Sequence, residues 1–287
     1  MLKWILVVIA ILVLWALVDN VWCMTRFQTT YYSLQNNLIQ KPCRMLMLSD
    51  LHNRTYGKEN EKLLKAIDEE KPDFVVMVGD MITASAESDY QVALSLCQKL
   101  AAKYPVYYAL GNHEQNWKEK TAKYGSVYQK YLQDLVDGGV IVLDNAQVEL
   151  PEYGITVQGL SIERSQYYKR FPSRHMDMTQ IEEKLGKPDE AYYQILLAHN
   201  PDYFATYSEW GADLTLSGHV HGGIVRLPIL GGVIAPSLQL FPEYDAGLFE
   251  NGEHTMILGR GVGFHTLPVR IGNPAELVCI NLEPARQ

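Results

Sequence analysis

Short hydrophobic runs alternate along the chain with segments whose hydrophobic residues recur at helical spacing. The runs typical of buried strands lie at 44–48, 73–78, 106–110, 140–144, 155–160, 193–198 and 276–282. Helical spacing is found at 60–70, at 90–103 and, with a more polar composition, at about 117–137. Beyond Asp213 the chain is punctuated by glycine and proline and is β-like. Because strand and helix alternate, we expect an α/β fold with mixed sheets flanked by helices.

The N-terminus differs from the rest of the chain. Residues 4–18 are fifteen uninterrupted apolar residues behind Lys3, and Trp4 and Trp22 could lie at the two membrane interfaces. No small-x-small cleavage site follows, so this pattern favours a retained single-pass anchor in the cell membrane; a cleaved signal peptide and a buried core helix are the alternatives. With Lys3 on the short side, the positive-inside rule predicts an extracytoplasmic catalytic domain.

Three segments follow from these patterns. We predict a membrane anchor at 1–22 and a catalytic domain at 43–287, with no repeat or low-complexity run inside it. Residues 23–42 mix polar and aromatic side chains and indicate a juxtamembrane connector or a first edge strand.

Composition excludes some classes of protein. The 287 residues carry a net charge of −8, which argues against a nucleic-acid-binding surface and makes any phosphate-binding ability local. The four cysteines form no CxxC pair and do not resemble metal ligands. Free, buried thiols are the simplest interpretation, and a disulfide between Cys23 and Cys43 is the alternative.

Five apolar runs lead directly into short polar motifs. In chain order these are "SDLH" at 49–52, "GD" at 79–80, "GNHE" at 111–114, "HN" at 199–200 and "SGHVH" at 217–221. Because the carboxyl ends of parallel strands meet at one edge of a sheet, side chains from all five could form one site.

The residue types in these motifs suit divalent cations. Two aspartates, one asparagine and five histidines, without a thiolate, match Mn, Fe, Zn or Co. Residues two apart at a strand end, such as His219 and His221, can point the same way. Taken singly, each motif is also compatible with an ordinary turn, so it is their combination that predicts a metal site.

The ordered set D-x-H, G-D, G-N-H-[DE], H and G-H-x-H resembles the calcineurin-like metallophosphoesterases, and the tail "GRGVGFHTLPVRIGNPAELVCINL" is similar to the membrane-anchored bacterial branch. The resemblance implies a four-layer α/β/β/α sandwich of two mixed sheets flanked by helices, here preceded by an N-terminal transmembrane helix. Two departures, Thr83 in place of an acidic residue and "NRT" at 53–55, remove no ligand but affect the pocket shape and metal preference that the family pattern would imply.

Carried over motif by motif, the resemblance implies two divalent metal ions and a set of catalytic residues. The first ion would be held by Asp50, His52, Asp80 and His221, and the second by Asp80, Asn112, His199 and His219. Asp80 would bridge the two. His113 would protonate the leaving group, with Asn112 beside it and Glu114 orienting it from behind.

These expectations define a hydrolase that cleaves phosphodiester or pyrophosphate bonds with a metal-activated hydroxide. A phosphomonoesterase and a non-catalytic, metal-bound scaffold at the membrane are the alternatives, and the anchor suggests a lipid-linked phosphoester as one class of substrate. His175, His254 and His265 lie outside the motifs and are interpreted as ordinary histidines, His265 with a place at the pocket mouth as its alternative.

Overall fold

The structure is a computed structural model that describes residues 1–85, 89–167, 176–236, 238–264 and 268–285. Its α-helices are α1 (Leu2–Thr25), α2 (Glu61–Glu70), α3 (Gln91–Ala101), α4 (Asn112–Glu119), α5 (Thr121–Asp137), α6 (Met178–Leu185) and α7 (Phe204–Trp210). Helices α2 and α3 confirm the helical spacing at 60–70 and 90–103, with ends that differ from the predicted ones by at most two residues. The polar stretch predicted near 117–137 is instead two helices, and α4 already begins inside the "GNHE" motif.

The first sheet has six strands in the order β1-β14-β2-β3-β4-β5. They are β1 (Phe27–Asn36), β2 (Cys43–Leu48), β3 (Phe74–Val78), β4 (Val106–Ala109), β5 (Ile141–Leu143) and β14 (Ala275–Pro284). Strands β2 to β5 are parallel, β14 is antiparallel to β2, and β1 is parallel to β14. The sheet is therefore mixed, and its four parallel strands end at one edge.

The second sheet has six strands in the order β12-β13-β9-β8-β7-β6. They are β6 (Ala146–Leu150), β7 (Ile155–Leu160), β8 (Tyr193–Ala198), β9 (Leu214–Ser217), β12 (Gly247–Asn251) and β13 (His254–Leu258). Strands β7, β8, β9 and β13 are parallel, and the two outer strands are antiparallel to their neighbours. A separate two-stranded hairpin, β10 (Val225–Leu227) and β11 (Gly231–Ile234), follows β9.

Strand periodicity explains how the layers pack. In β2, Met45 and Met47 pack into the core between the two sheets, whereas Leu46 and Leu48 face the helices on the outer side. The first sheet packs on its outer face against α2, α3 and α5, and the second against α6 and α7. This arrangement of helix, sheet, sheet and helix confirms the predicted four-layer α/β/β/α sandwich.

The N-terminal helix continues directly into the first sheet. Among the described residues α1 alone is long and apolar enough to cross a membrane, a property that a signal sequence shares. Arg26 alone separates it from β1, an edge strand within the stretch predicted as a connector or an edge strand. All four cysteines are free and buried, in agreement with the simplest interpretation of their spacing.

The core between the sheets should determine the stability of the domain. Leu197 on β8 is fully buried there, so we expect Leu197→Ala to lower the free energy of unfolding by about 2–5 kcal/mol through lost burial and the cavity left behind. Urea unfolding of the detergent-solubilised chain measures this. Leu248→Ala, at a 39% exposed position on β12, is the matched control and should cost less than about 1 kcal/mol; equal losses would contradict the assignment of the core.

Candidate metal centre

The five polar motifs meet at one edge of the sandwich. They follow the carboxyl ends of β2, β3, β4, β8 and β9, as the alternation of strands and helices predicts. Strands from both sheets contribute, so the site lies where the two sheets come together. Residues separated by about 170 positions in the chain are thereby brought into contact: the backbone N–H of His219 donates to Asp50 Oδ1 at 3.0 Å.

One group of ligand atoms is formed by Asp50, His52 and His221. Asp50 Oδ1 lies 3.2 Å from His221 Nε2 and 4.0 Å from His52 Nε2. The two imidazole Nε2 atoms are 3.2 Å apart with their rings stacked. Three potential donor atoms therefore point at one small volume.

A second group is formed by Asp80, His199 and His219. Asp80 Oδ2 lies 3.2 Å from His199 Nε2, while His199 Nε2 is only 3.7 Å from Asp50 Oδ1. Asp80 Oδ2 is also 3.9 Å from His52 Nε2, and it thus lies next to both groups. The structure therefore places both predicted aspartates and four predicted histidine ligands in one continuous cluster.

The remaining predicted ligand is Asn112, the first residue of α4. It is 2% exposed, and its Oδ1 atom is buried without a hydrogen-bond partner among the residues that the structure describes. A buried amide oxygen that accepts no hydrogen bond is costly unless another group binds it. This oxygen belongs to the residue before His113, whose backbone N–H binds Asp80, and a cation would satisfy it.

Backbone carbonyls orient two of the imidazoles for metal binding. His199 Nδ1 lies 2.6 Å from the carbonyl oxygen of Val78, and His52 Nδ1 lies 3.3 Å from that of Ile82. Because a carbonyl can only accept, Nδ1 carries the proton in each ring. When these rings are neutral, the lone pair is then on Nε2, the atom that faces the carboxylates.

The two buried aspartates create a strong negative potential. Burial raises the pKa of Asp50 to about 6, which shows how unfavourable its uncompensated charge is. Burial would also raise the pKa of Asp80, but His199 and His113 outweigh it and hold that pKa well below its usual value. Burial alone would lower the pKa of His199, yet Asp80 and Asp50 raise it to about 10. A metal cation bound here would displace that proton, since an imidazole ligand must be deprotonated.

Several cluster residues adopt backbone conformations that non-glycine residues rarely use. Asp50, His52, Asp80, His219 and His221 all have a positive φ, between 47° and 73°. Such conformations cost of order 1–3 kcal/mol each and persist only when the surroundings enforce them. Their concentration in one site indicates that positioning these side chains outweighs local backbone preference.

Two glycines allow the motif loops to pack this closely. A Cβ on Gly111 would meet Asp80 Oδ1 at 2.3 Å, and one on Gly218 would meet Asp50 Oδ2 at 2.4 Å. Neither contact is possible without moving an aspartate.

Glu114 is fully buried beneath the site and holds the loop after β3. Its carboxylate accepts hydrogen bonds from the backbone N–H groups of Asp80 at 2.9 Å, Met81 at 2.9 Å and Gly111 at 3.0 Å. The hydroxyl of Tyr108 donates to it at 2.7 Å. These hydrogen bonds position Asp80 directly. The predicted orientation of His113 by Glu114 would act through the same loop.

His113 extends from the first turn of α4 towards the cluster. Its backbone N–H donates to Asp80 Oδ1 at 2.8 Å, and its Nε2 lies 3.8 Å from Asp80 Oδ2. The backbone N–H of Ala84 donates to His113 Nδ1 at 2.7 Å. Nδ1 therefore offers its lone pair, and the ring proton is on Nε2, facing the cluster.

The structure adds residues that the motifs did not identify as part of the site. The side-chain amide of Asn273 donates to the carbonyl oxygens of His221 at 2.7 Å and Gly223 at 2.6 Å. The buried Arg270 donates to the Gly263 carbonyl at 2.6 Å, and the ring of Tyr167 packs 5.1 Å from that of His219. Asn273 and Arg270 lie in the C-terminal segment that resembles the family, and this resemblance is the sequence feature that could have identified them.

The remaining described histidine, His254, is not part of this arrangement. His254 begins β13, and its Nδ1 lies 2.8 Å from the Ala212 carbonyl oxygen. The interpretations of His175 and His265, and of the pocket mouth beside His265, fall outside the described residues.

Comparison with known proteins identifies the family. A family model described as calcineurin-like phosphoesterase matches residues 43–223. The chain is 26% identical to the uncharacterized metallophosphoesterase YkuE of Bacillus subtilis over 262 residues, which cover 89% of this chain and 85% of that one. It is 26% identical to the phosphodiesterase YaeI of Escherichia coli over 228 residues, covering 77% and 76%.

A third relative is the transmembrane protein with metallophosphoesterase domain of Danio rerio. It is 28% identical over 253 residues, which cover 84% of this chain but only 53% of that protein.

The chain belongs to the calcineurin-like phosphoesterase family, since the family model matches more than half of the chain. Its substrate is accordingly a phosphoester, and its aspartate and histidine clusters indicate divalent metal binding.

The hydrogen bonds of Glu114 predict that Glu114→Gln, a nearly isosteric substitution, strongly destabilises the protein. In Glu114→Gln one carboxylate oxygen becomes an amide N–H₂ that faces backbone N–H donors, so we expect the free energy of unfolding to fall by about 3–5 kcal/mol. Urea unfolding measures this, and the exposed Glu149→Gln is the matched control, expected to change stability by less than about 0.5 kcal/mol. A variant as stable as the control would show that Glu114 does not hold the loop.

Proposed function

We propose that this protein is a membrane-tethered, metal-dependent hydrolase of phosphodiester or pyrophosphate bonds. The observation that carries the proposal is the convergence of two buried carboxylates and at least four imidazoles on one edge of the sandwich. The name of the Escherichia coli relative, a phosphodiesterase, supports diesters as substrates.

We assign two cation positions to the two groups of ligand atoms. Asp50, His52, Asp80 and His221 would hold the first ion. Asp80, Asn112, His199 and His219 would hold the second, and Asp80 would bridge them because its Oδ2 lies near imidazoles of both groups. Oxygen and imidazole ligands without thiolate favour Mn, Fe, Zn or Co.

The charge balance suits an anionic substrate. Two bound divalent cations would supply four positive charges, polarise the phosphoryl oxygens and lower the pKa of a water to about 7. Asp50 and Asp80 contribute two negative charges, and neutral imidazoles and Asn112 contribute none. A net positive charge remains for the phosphate within a protein whose net charge is −8.

His113 would act on the leaving group. With Nδ1 occupied by the Ala84 N–H, the Nε2–H is directed at the cluster and can donate a hydrogen bond to the leaving-group oxygen as charge develops there. Asn112, one residue earlier, would bind the metal and align the phosphoryl group. Glu114 fixes the helix start and the Asp80 loop, which positions both neighbours.

The membrane tether is assigned to α1. Its 24 residues have a mean hydropathy of 2.5 in the most apolar window, and that window is not buried by the rest of the protein. The Danio rerio relative is named a transmembrane protein. We place the chain in the cell membrane as a single-pass protein with an extracytoplasmic catalytic domain, since Lys3 lies on the short side.

The proposed chemistry requires Asp80 and His113. In the manganese-loaded chain, we expect Asp80→Asn to reduce kcat on an aryl phosphodiester by about 1000-fold and His113→Ala by about 100-fold, because a bridging charge and a leaving-group donor are lost. A chelator should abolish turnover and manganese should restore it.

The matched control is His254→Ala, a histidine at the far end of β13 that should leave the rate unchanged. Unaltered turnover in Asp80→Asn or His113→Ala would contradict the mechanism. A higher kcat/KM for the aryl phosphomonoester than for the diester would contradict the assignment to diesters.

The two ligand groups predict that neighbouring histidines serve different ions. We expect His219→Ala and His221→Ala each to lower the metal content from two equivalents to about one. The remaining ion would be held by Asp50, His52, Asp80 and His221 in His219→Ala, and by Asp80, Asn112, His199 and His219 in His221→Ala. Elemental analysis gives the number of ions, and Mn²⁺ electron paramagnetic resonance distinguishes the two environments. Identical spectra, or loss of both ions from both variants, would contradict separate positions.

A further inference from the structure

The hairpin that follows the candidate metal centre carries an exposed apolar surface. We propose that this surface inserts into the same membrane leaflet that α1 leaves, so that the domain contacts the bilayer at two places; the inference rests on the membrane tether of the proposed function. The surface, here called the apolar ridge, consists of Leu227, Ile229, Leu230, Leu238, Leu240 and Phe241.

The composition of this segment is unusual for a protein surface. Residues 227–242 contain no charged side chain, although the chain as a whole is 20% charged. Ile229 is fully exposed, and Leu230, Leu238, Leu240 and Phe241 are each at least 60% exposed. Contiguous exposed apolar side chains of this size mark a surface that binds a partner or a membrane.

Backbone hydrogen bonds hold the two parts of the ridge next to each other. Phe241 N donates to the Val233 carbonyl at 2.9 Å, and Ala235 N donates to the Gln239 carbonyl at 2.9 Å. The segment after β11 is therefore folded back against the hairpin.

Several exposed ridge residues have strained backbone conformations. Ile229, Leu238 and Phe241 have φ values of 73°, 64° and 48°, which are rare for bulky or β-branched residues. Strain of this kind persists where it positions side chains for a function. Here its effect is to present apolar side chains to the outside of the protein.

The ridge lies beside the part of α1 that leaves the membrane. Arg226 N donates to the Ile271 carbonyl at 2.8 Å, and Ile271 N donates to the Ile224 carbonyl at 3.0 Å, so β10 is joined to the loop at 270–272. That loop in turn binds α1: Arg270 N donates to Asn20 Oδ1 at 2.8 Å, and Gly272 N donates to Asp19 Oδ2.

The contact points on α1 fix the height of this loop relative to the bilayer. Asp19 and Asn20 are the first polar residues after the apolar run at 4–18. That run spans only about 22 Å as a helix, less than the roughly 30 Å of the hydrocarbon core, so its ends are drawn to the interface. Asp19 also lies about 9 Å closer to the bilayer than Thr25, where the helix ends. The loop and the hairpin joined to it are therefore at the membrane surface.

A bilayer is the occupant that these observations favour over a second protein. The uncharged ridge and the apolar face of α1 adjoin through the 270–272 loop, and a lipid surface is the partner already required by α1. Leu227 follows His221 by six positions, so the Cα atoms of these two residues lie within about 22 Å of each other.

Fluorescence depth measurement on the full chain tests this contact. An environment-sensitive fluorophore on Ile229→Cys is compared with the same probe on Val136→Cys, which is 53% exposed at the end of α5, at the opposite edge of the sheet. All four native cysteines are buried, which favours selective labelling. The proteins are reconstituted into phosphatidylcholine and phosphatidylglycerol vesicles, with and without lipids brominated in the upper part of the acyl chains.

We expect the probe at 229, and not that at 136, to shift its emission to the blue and to lose intensity with brominated lipid, at a depth of about 5–10 Å. A probe at 229 that resembles the one at 136 in vesicle-bound protein would overturn the proposal. A blue shift without quenching by brominated lipid would do so too, and would indicate contact with a second copy of the chain.

Two further measurements distinguish failure of the ridge contact from failure of the proposed function. Flotation of the protein with the vesicles tests the tether, and protein that does not float would overturn the tether and the ridge contact together. Turnover of a soluble diester tests the chemistry and does not depend on the ridge. Ile229→Ser with Leu230→Ser should leave that turnover unchanged while the protein still floats.

Discussion

Two carboxylates, those of Asp50 and Asp80, are buried within reach of the same imidazoles, and the rest of the site follows from stabilising them. The backbone N–H of His219 donates to Asp50 and that of His113 donates to Asp80, while Glu114 fixes the loop that begins at Asp80. The left-handed conformations of the motif residues and the closely approaching glycines are the structural cost of this arrangement. A dense negative charge fixed in this way attracts cations.

Much of the fold could be predicted because burial on both faces produces continuous apolar runs. The runs at 44–48, 73–78 and 193–198 became β2, β3 and β8 with shifts of a residue or less. Strands with one exposed face were harder to recognise: β6 and β12 have alternating or mostly exposed residues, and they lie at sheet edges. The start of α4 was placed too late because its first turn is polar and buried by the site rather than amphipathic.

The candidate site could be predicted in its membership but not in its supporting contacts. The structure brings together six residues that the motifs predict as ligands, because candidate metal ligands are of a few chemical types and follow the carboxyl ends of strands: Asp50, His52, Asp80, His199, His219 and His221. The support of His221 by Asn273, and of Asp80 by Glu114 through backbone N–H groups, leaves no comparable pattern, since any acceptor or amide at the right distance could do the same. Such contacts depend on tertiary distances that a linear spacing does not contain.

The single residue between α1 and β1 has a mechanical consequence. With Arg26 as the only joint, and with Asn20 and Asp19 bonded to the 270–272 loop, the catalytic domain cannot swing on a flexible stalk. It would move with its helix as one body, at a constant height and tilt. With α1 in the membrane as proposed, encounters with a membrane-embedded substrate would occur by lateral diffusion in two dimensions, whereas a soluble substrate would approach from the aqueous layer beside the bilayer.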